Sequence, residues 1–330
     1  MSPFLDVRKL SVEYPVRGRG LFGEKSVLRA VRAVSLAINA GETVGVVGET
    51  GCGKSSLGKA ILQLVKPSAG SVLWQGRDLC RLSAPELTAC RRDLQIVFQD
   101  PLSSLDPRQS IGEIVAEPLL VHFPELSTAE RERRVVAMLE RVGLRAEMQS
   151  RYPHEFSGGQ CQRISIARAM IVEPKLVVCD EPVSSLDVSI QAQICNLLRD
   201  LQRERGVALL FISHDLSVVR YMSHRVVVLY LGQVVESGPR DEIFSNPRHP
   251  YTKALISAVP VPDPERALLA TAGTLEGELP SPMAAPSGCG FRTRCPHAVP
   301  VCITREPQLE EAGTGHLVGC HRWRESLTLK

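Results

Sequence analysis

Gly48-Glu49-Thr50-Gly51-Cys52-Gly53-Lys54-Ser55 fits the pattern GxxxxGK[ST] at every fixed position. Its neighbours give the pattern meaning. TVGVV (Thr43 to Val47) just upstream reads as a short buried strand, and LGKAILQLV from Leu57 carries apolar residues at helical spacing. Strand, glycine-rich loop and helix in that order bring backbone amides and a helix N-terminus to bear on one anion. The three glycines let the amides turn inward around phosphate oxygens, with Glu49, Thr50 and Cys52 between them. Lys54 would reach the terminal phosphates of a bound nucleoside triphosphate. Ser55, with Ser56 beside it, would offer a hydroxyl to magnesium.

Outward from this loop, Phe4 to about Tyr14 alternates like a strand, and AVSLAI (Ala33 to Ile38) reads as another. Between about Ser83 and Val142 the pattern turns mostly helical, with AERERRVVAMLERVGL as an amphipathic helix. From Leu176 elements alternate again: KLVVCDEP, a helix from about Ser189 to Arg203, the strand VALLFIS, a helix after His214, and a VVVLY/QVVESG strand pair. A helix is expected at Tyr251 to Ala258. This order predicts a mostly parallel sheet flanked by helices, with a helical subdomain inserted at about 100–172. KLVVCDEP ends in two acids. Asp180, at a strand end next to a phosphate loop, suits holding magnesium through water. Glu181 would polarise the attacking water as general base, a role worth about 100-fold to 10,000-fold in rate.

Composition sets outer bounds. The 330 residues suffice for one large α/β domain and a smaller appendage. Hydrophobic residues make up 44% and charged residues 23%, as in ordinary globular proteins. The net charge of +3 comes from scattered basic residues, so no stripe for nucleic acid is expected. RVVVLYLG and VALLFIS fall far short of the roughly 20 apolar residues that cross a bilayer. MSPFLDVRKLSVEY shows neither a signal-peptide nor a lipidation pattern, so a reducing cytosolic setting is expected. After Val259 the chain becomes dense in Pro, Gly and Ala and reads as a linker. Residues 1–258 are expected to form the nucleotide-binding domain, and 259–330 the linker and extension.

Phe156-Ser157-Gly158-Gly159-Gln160 precedes the helical run QRISIARAMIVEP, some 20 residues before the carboxylate strand. Ser157 reads by itself as a helix N-cap. In this setting the stretch resembles the signature motif of ABC ATPases, the cassettes that power ABC transporters. Gln99 in VFQDP, Ser184 to Asp187, His214 in FISHD and Tyr14 match the same family in order, over roughly residues 4–258. The resemblance implies a P-loop NTPase (RecA-like) α/β core with an antiparallel β subdomain and a helical signature subdomain. It implies that Tyr14 stacks on adenine, that Gln99 senses magnesium and faces membrane subunits, and that His214 contacts the γ phosphate. Ser157, Gly158, Gly159 and Gln160 would complete the phosphate loop of a second cassette across sandwiched ATP. Cys161, where the family usually carries a basic residue, and Phe156 in place of leucine depart from the pattern.

Ten cysteines are unevenly spread, with Cys289-x5-Cys295-x6-Cys302-x17-Cys320 crowded into a proline-rich segment short of apolar residues. Zinc, an iron–sulfur cluster or free thiols are the open readings; the spacing is wide for structural zinc, and four thiolates also suit a four-iron cluster. CGFRTRCPHAVPVC with NPRHPYTKAL (Asn246 to Leu255) resembles the C-terminal extension of dipeptide and oligopeptide importer ATPases, in which a [4Fe-4S] cluster is implied. His297, His316 and His321 are spare ligands nearby, though they are expected at the surface. The first loop (Val16 to Val31) resembles the F-type branch. That resemblance implies a D-type ATPase partner, two membrane-spanning permeases, an extracytoplasmic peptide-binding protein and a place at the cytoplasmic face of the membrane. Nickel or glutathione import, a soluble non-transport ABC-type ATPase, and a metal or redox sensor remain alternatives. The spacing of loop and signature leaves no room for a long heptad insert.

Overall fold

Thr43–Val47 is buried at all five positions, as a strand covered on both faces must be. It pairs in parallel with Arg225–Tyr230, from Val44 opposite Arg225 to Val47 opposite Val228. This computed structural model describes residues 3–17, 25–259 and 280–325. The tip of the first loop (18–24) and most of the expected linker (260–279) lie outside the described residues. Contacts divide the chain into two units, one of Leu5–Ala37, Val44–Cys80 and Ser213–Lys330, the other of Met1–Phe4, Ile38–Thr43 and Arg81–Ile212.

The first unit carries two sheets. One is ordered Lys25–Ile38, Leu5–Arg17, Ala69–Trp74, Arg77–Asp78. Leu5 and Val7 face inward, and so do Leu10 and Val12. That shift of register is made by a bulge between Arg8 and Ser11, with Lys9 at a φ of 44°. The strand pair Ala69–Trp74 and Arg77–Asp78 was not anticipated; its turn puts Gln75 and Gly76 both at positive φ, 49° and 83°. The other sheet runs Glu310–Gly313, His316–Val318, Gln233–Pro239, Arg225–Tyr230, Thr43–Val47. The cysteine-rich segment therefore folds by adding a hairpin to an existing sheet, with Glu236 opposite Val318. It also contributes Phe291, 2% exposed, to a shared core.

The second unit holds the parallel strands Leu94–Val97, Leu176–Asp180 and Ala208–Ile212. Leu94–Val97 interrupts the stretch expected to be mostly helical; four residues are too few to show a period, and pairing with Leu176–Asp180 decides their state. The helices Ile111–His122, Thr128–Arg141, Gly158–Met170 and Val188–Arg205 are its longest elements. Thr128–Arg141 buries Val135, Met138 and Leu139, the stripe its periodicity predicts. Ser110, Ser127 and Ser157 cap their helices, each accepting from the amide three residues on.

Candidate active site

The glycine-rich loop leaves Thr43–Val47 and enters the helix Lys54–Ile61. Gly53 is the N-cap at a φ of 105°, and a Cβ there would stand 2.0 Å from the Ala30 carbonyl oxygen. Gly48 is similarly closed, by the Leu229 carbonyl oxygen at 2.2 Å. Lys54 is 4% exposed. Its ammonium donates to the carbonyls of Gly48 at 2.8 Å and Glu49 at 3.1 Å, so it lies across the loop it belongs to. Tyr14 Oη donates to Ser56 Oγ at 3.3 Å, placing the ring beside the start of the helix. The amide of Ser213 donates to the Val46 carbonyl at 3.1 Å. This sets exposed His214 by the strand end that opens into the loop. Cys52 is 1% exposed, and burial pushes its thiol up to about 11 although Lys54 pulls the other way.

In the second unit, Asp180 ends a strand buried at every position and Glu181 follows it; the two are 3% and 8% exposed. Glu181 has a φ of 47°, the left-handed region, in a residue that is not glycine. Its carboxylate accepts from Gln99 Nε2 at 3.1 Å, so two of the expected residues meet although 82 positions separate them. The amide of Glu181 donates to the Ile212 carbonyl at 2.9 Å, and Ser184 Oγ donates to the Glu181 carbonyl at 3.1 Å.

Ser157 and Gln160 form a reciprocal cap: Ser157 N donates to Gln160 Oε1 at 3.0 Å, and Gln160 N donates to Ser157 Oγ at 3.4 Å. Gly159 lets the helix Val188–Arg205 approach, since a Cβ there would meet Ile190 Cγ2 at 2.7 Å. Cys161 is fully buried, its thiol against the Pro153 carbonyl.

Cys289, Cys295, Cys302 and Cys320 line one cavity of about 20 Å³, with His249 and His297 also in its wall. None of the four is joined to another cysteine by a disulfide. Burial pushes Cys289 and Cys320 up to about 11, and Cys295 up as well. The donor set suits iron or zinc in kind. Among the described residues, however, no three His, Cys, Asp or Glu side chains are placed to hold a single metal ion. His316 is not at the surface, as expected, but 2% exposed. Its Nε2 is 2.8 Å from the carboxylate of Glu236, which also accepts from the amides of Arg248 and His249 at 2.6 and 3.0 Å. Burial pushes Glu236 up, but these bonds outweigh it and hold the carboxyl below its usual range.

The sequence reading missed this latch, and it missed Tyr251, whose hydroxyl accepts from the amide of Glu49 at 2.9 Å. It also missed Arg294, which holds the Glu49 carboxylate. Partners more than 200 residues apart leave no periodic trace. The sequence signal available was an arginine beside one of the clustered cysteines.

Solved structures define the class first. The structure of cbiO1 from Clostridium perfringens, part of the ABC transporter complex cbiONQ, matches with a TM-score of 0.64 at 28% identity, over 74% of this chain and 92% of that one. The dimeric ATP-binding cassette MJ0796 in a post-hydrolysis state with ADP and Pi matches at 0.63 and 30%, over 72% and 98%. The ABC transporter family model covers residues 31–184, and the model of the oligopeptide/dipeptide transporter C-terminal region covers 235–302. Among curated relatives, the oligopeptide transport ATP-binding protein OppF of Salmonella typhimurium is 55% identical over 96% of this chain and 95% of its own length. OppF of Escherichia coli is 54% identical over the same shares, and the putative oligopeptide transport ATP-binding protein YkfD of Bacillus subtilis 48% over 99% and 97%. The chain belongs to this family of ABC transporter ATP-binding proteins, and it is an ABC-type ATPase.

Proposed function

We propose that this chain binds and hydrolyses ATP to power the import of dipeptides and oligopeptides. The carrying observation is identity of 55% and 54% over 96% of the chain to two oligopeptide transport ATP-binding proteins. The geometry supports the chemistry. Residues 48–56 would cradle the phosphates, whose oxygens replace the Gly48 and Glu49 carbonyls as acceptors for Lys54. Tyr14 would stack on adenine. Ser55, Gln99 and Asp180 would hold magnesium, which neutralises phosphate charge. Glu181, oriented by the Gln99 amide, would take the proton of the attacking water. His214 would contact the γ phosphate, and Ser157, Gly158, Gly159 and Gln160 would serve the ATP bound by a second ATPase subunit.

On this reading residues 1–258 are the nucleotide-binding domain and 259–330 the linker and cysteine-rich extension. Among the described residues no helix is long and apolar enough to cross a membrane. The chain would work at the inner face of the cytoplasmic membrane against two permeases, beside a D-type ATPase and beneath a peptide-binding protein. Reconstitution in vesicles tests this: ATP-driven uptake of a labelled tripeptide is expected, and uptake that survives omission of this chain would overturn it.

Cys289, Cys295, Cys302 and Cys320 would hold a [4Fe-4S] cluster, which would staple the segment; zinc is the alternative. The support is their meeting at one cavity. A four-iron cluster gives each thiolate its own iron, so four sulfurs need not converge on one point. Anaerobically purified chain should carry about four iron and four sulfide. Zinc in their place would establish the alternative, and neither metal would leave free thiols.

A further inference from the structure

We propose that Arg294, within the cysteine-rich segment, is a positioning residue for ATP: it holds the carboxylate of Glu49 and thereby sets the glycine-rich loop. Arg294 Nη1 donates to Glu49 Oε2 at 2.7 Å and Nη2 to Oε1 at 2.9 Å, the parallel two-bond geometry that fixes direction as well as distance. The guanidinium side chain is 6% exposed and the carboxylate 24%, so water competes weakly.

Glu49 is tied at every polar group it has. Its amide donates to Tyr251 Oη, its carbonyl accepts from Lys54, and its carboxylate accepts from Arg294. The hold comes from a built surface. The amide of Arg294 donates to the Phe291 carbonyl at 3.0 Å, so one turn aims both side chains. Phe291 packs at 5.4 Å from the Tyr251 ring and 5.3 Å from Tyr230, and the two tyrosines meet edge to face at 4.7 Å. The segment thus supports the loop through a neutral contact, Tyr251, and a charged one, Arg294.

The chemistry gives the arrangement a purpose. A carboxylate inside a loop that receives a triphosphate repels its ligand. Arg294 cancels that charge and draws the carboxylate to one side. Lysine could cancel the charge but could not reproduce the fork.

The proposal rests on residues 48–55 being the phosphate loop, which the wild-type titration checks by itself; absence of binding there would overturn both readings. MgADP affinity of the full chain is measured calorimetrically for wild type, Arg294→Ala, Glu49→Gln and the double variant. Losing a charge-assisted pair should weaken binding about tenfold in Arg294→Ala. Most of that loss should vanish in the Glu49→Gln background, where no carboxylate needs cancelling. An arginine that merely helped the segment fold would cost the same in both backgrounds, and that result, or wild-type affinity in Arg294→Ala, would overturn the proposal. Should Arg294→Ala not fold, amide exchange on wild type decides. Coupling is reciprocal, so MgADP should slow exchange across residues 289–295. Unchanged exchange there would overturn the proposal.

Discussion

Thr43–Val47 and Leu176–Asp180 are both five-residue parallel strands buried at every position, yet the chain leaves them differently. After Val47 it turns through Gly48, Gly51 and Gly53, all at positive φ. After Asp180 the positive φ falls on Glu181, whose carboxylate meets the Gln99 amide. A site that grips phosphate with its backbone needs residues without a Cβ. A site that moves a proton needs a side chain, and accepts strain at the residue that carries it. The two regions should therefore fail differently when altered: the first by losing shape and binding, the second by losing chemistry while keeping both.

The sharpest way to break that contrast is Glu181→Gln. The amide keeps the size of the side chain and a polar partner for Gln99, so nucleotide affinity should stay near wild type. The single-turnover hydrolysis rate should fall by about 100-fold to 10,000-fold, the usual worth of a general base. Undiminished hydrolysis would remove Glu181 from the chemistry and leave its φ of 47° unexplained.

Gly53→Ala tests the other side. The new methyl would stand 2.0 Å from the Ala30 carbonyl oxygen at a φ of 105°, so strain and overpacking add to about 3 kcal/mol in chemical denaturation. Gly51→Ala is the internal control: its φ is 82°, but nothing lies within 4 Å, so about 1 kcal/mol is expected. Equal losses at both positions would mean that conformation alone, not close approach, demands glycine here.

Cys52 sharpens the same point with a side chain that takes no part. With its thiol pushed up to about 11 and 1% exposed, the thiolate needed for alkylation is scarce near neutral pH. Iodoacetamide should modify it about 100-fold more slowly than an ordinary cysteine, the two pH units between them setting the factor. The rate should climb as pH rises toward 11, because burial disfavours the charged form and only higher pH restores it. Fast modification at pH 7, read by peptide mass, would show that the loop opens often, against the closed geometry around Gly48 and Gly53.

Both strand exits were legible in the sequence because each is local. Glycine spacing, an apolar run and an acid at its end all lie within a dozen residues, and the same holds for Ser157 and Gln160. What stayed hidden is set by long-range packing. Leu94–Val97 is a strand because Leu176–Asp180 lies beside it. His316 is buried because Glu236, 80 residues away, accepts from it. The cysteine-rich segment looked too poor in apolar residues to fold by burial, since a count within the segment cannot include the strand Gln233–Pro239 and the rings of Tyr230 and Tyr251 that it borrows.

The smallest effect sits between the two types of site. The helix Gly158–Met170 begins with two glycines, the residue type that also builds the glycine-rich loop, but its first turn is fixed by side chains, as at Glu181. Ser157→Ala removes the acceptor for the Gln160 amide while leaving the Gln160 side chain bonded to the backbone of residue 157. Loss of such a cap costs about 1 kcal/mol, and Ser157→Gly only a few tenths, because an unpaired amide beside glycine is easily hydrated. The urea midpoint of the isolated chain reads this directly. The bond lost is already long at 3.4 Å, which places the expected value at the lower end of that range. A loss above about 2 kcal/mol would exceed what a cap supplies and would mean that Ser157 orders more of the second unit than the first turn of its helix.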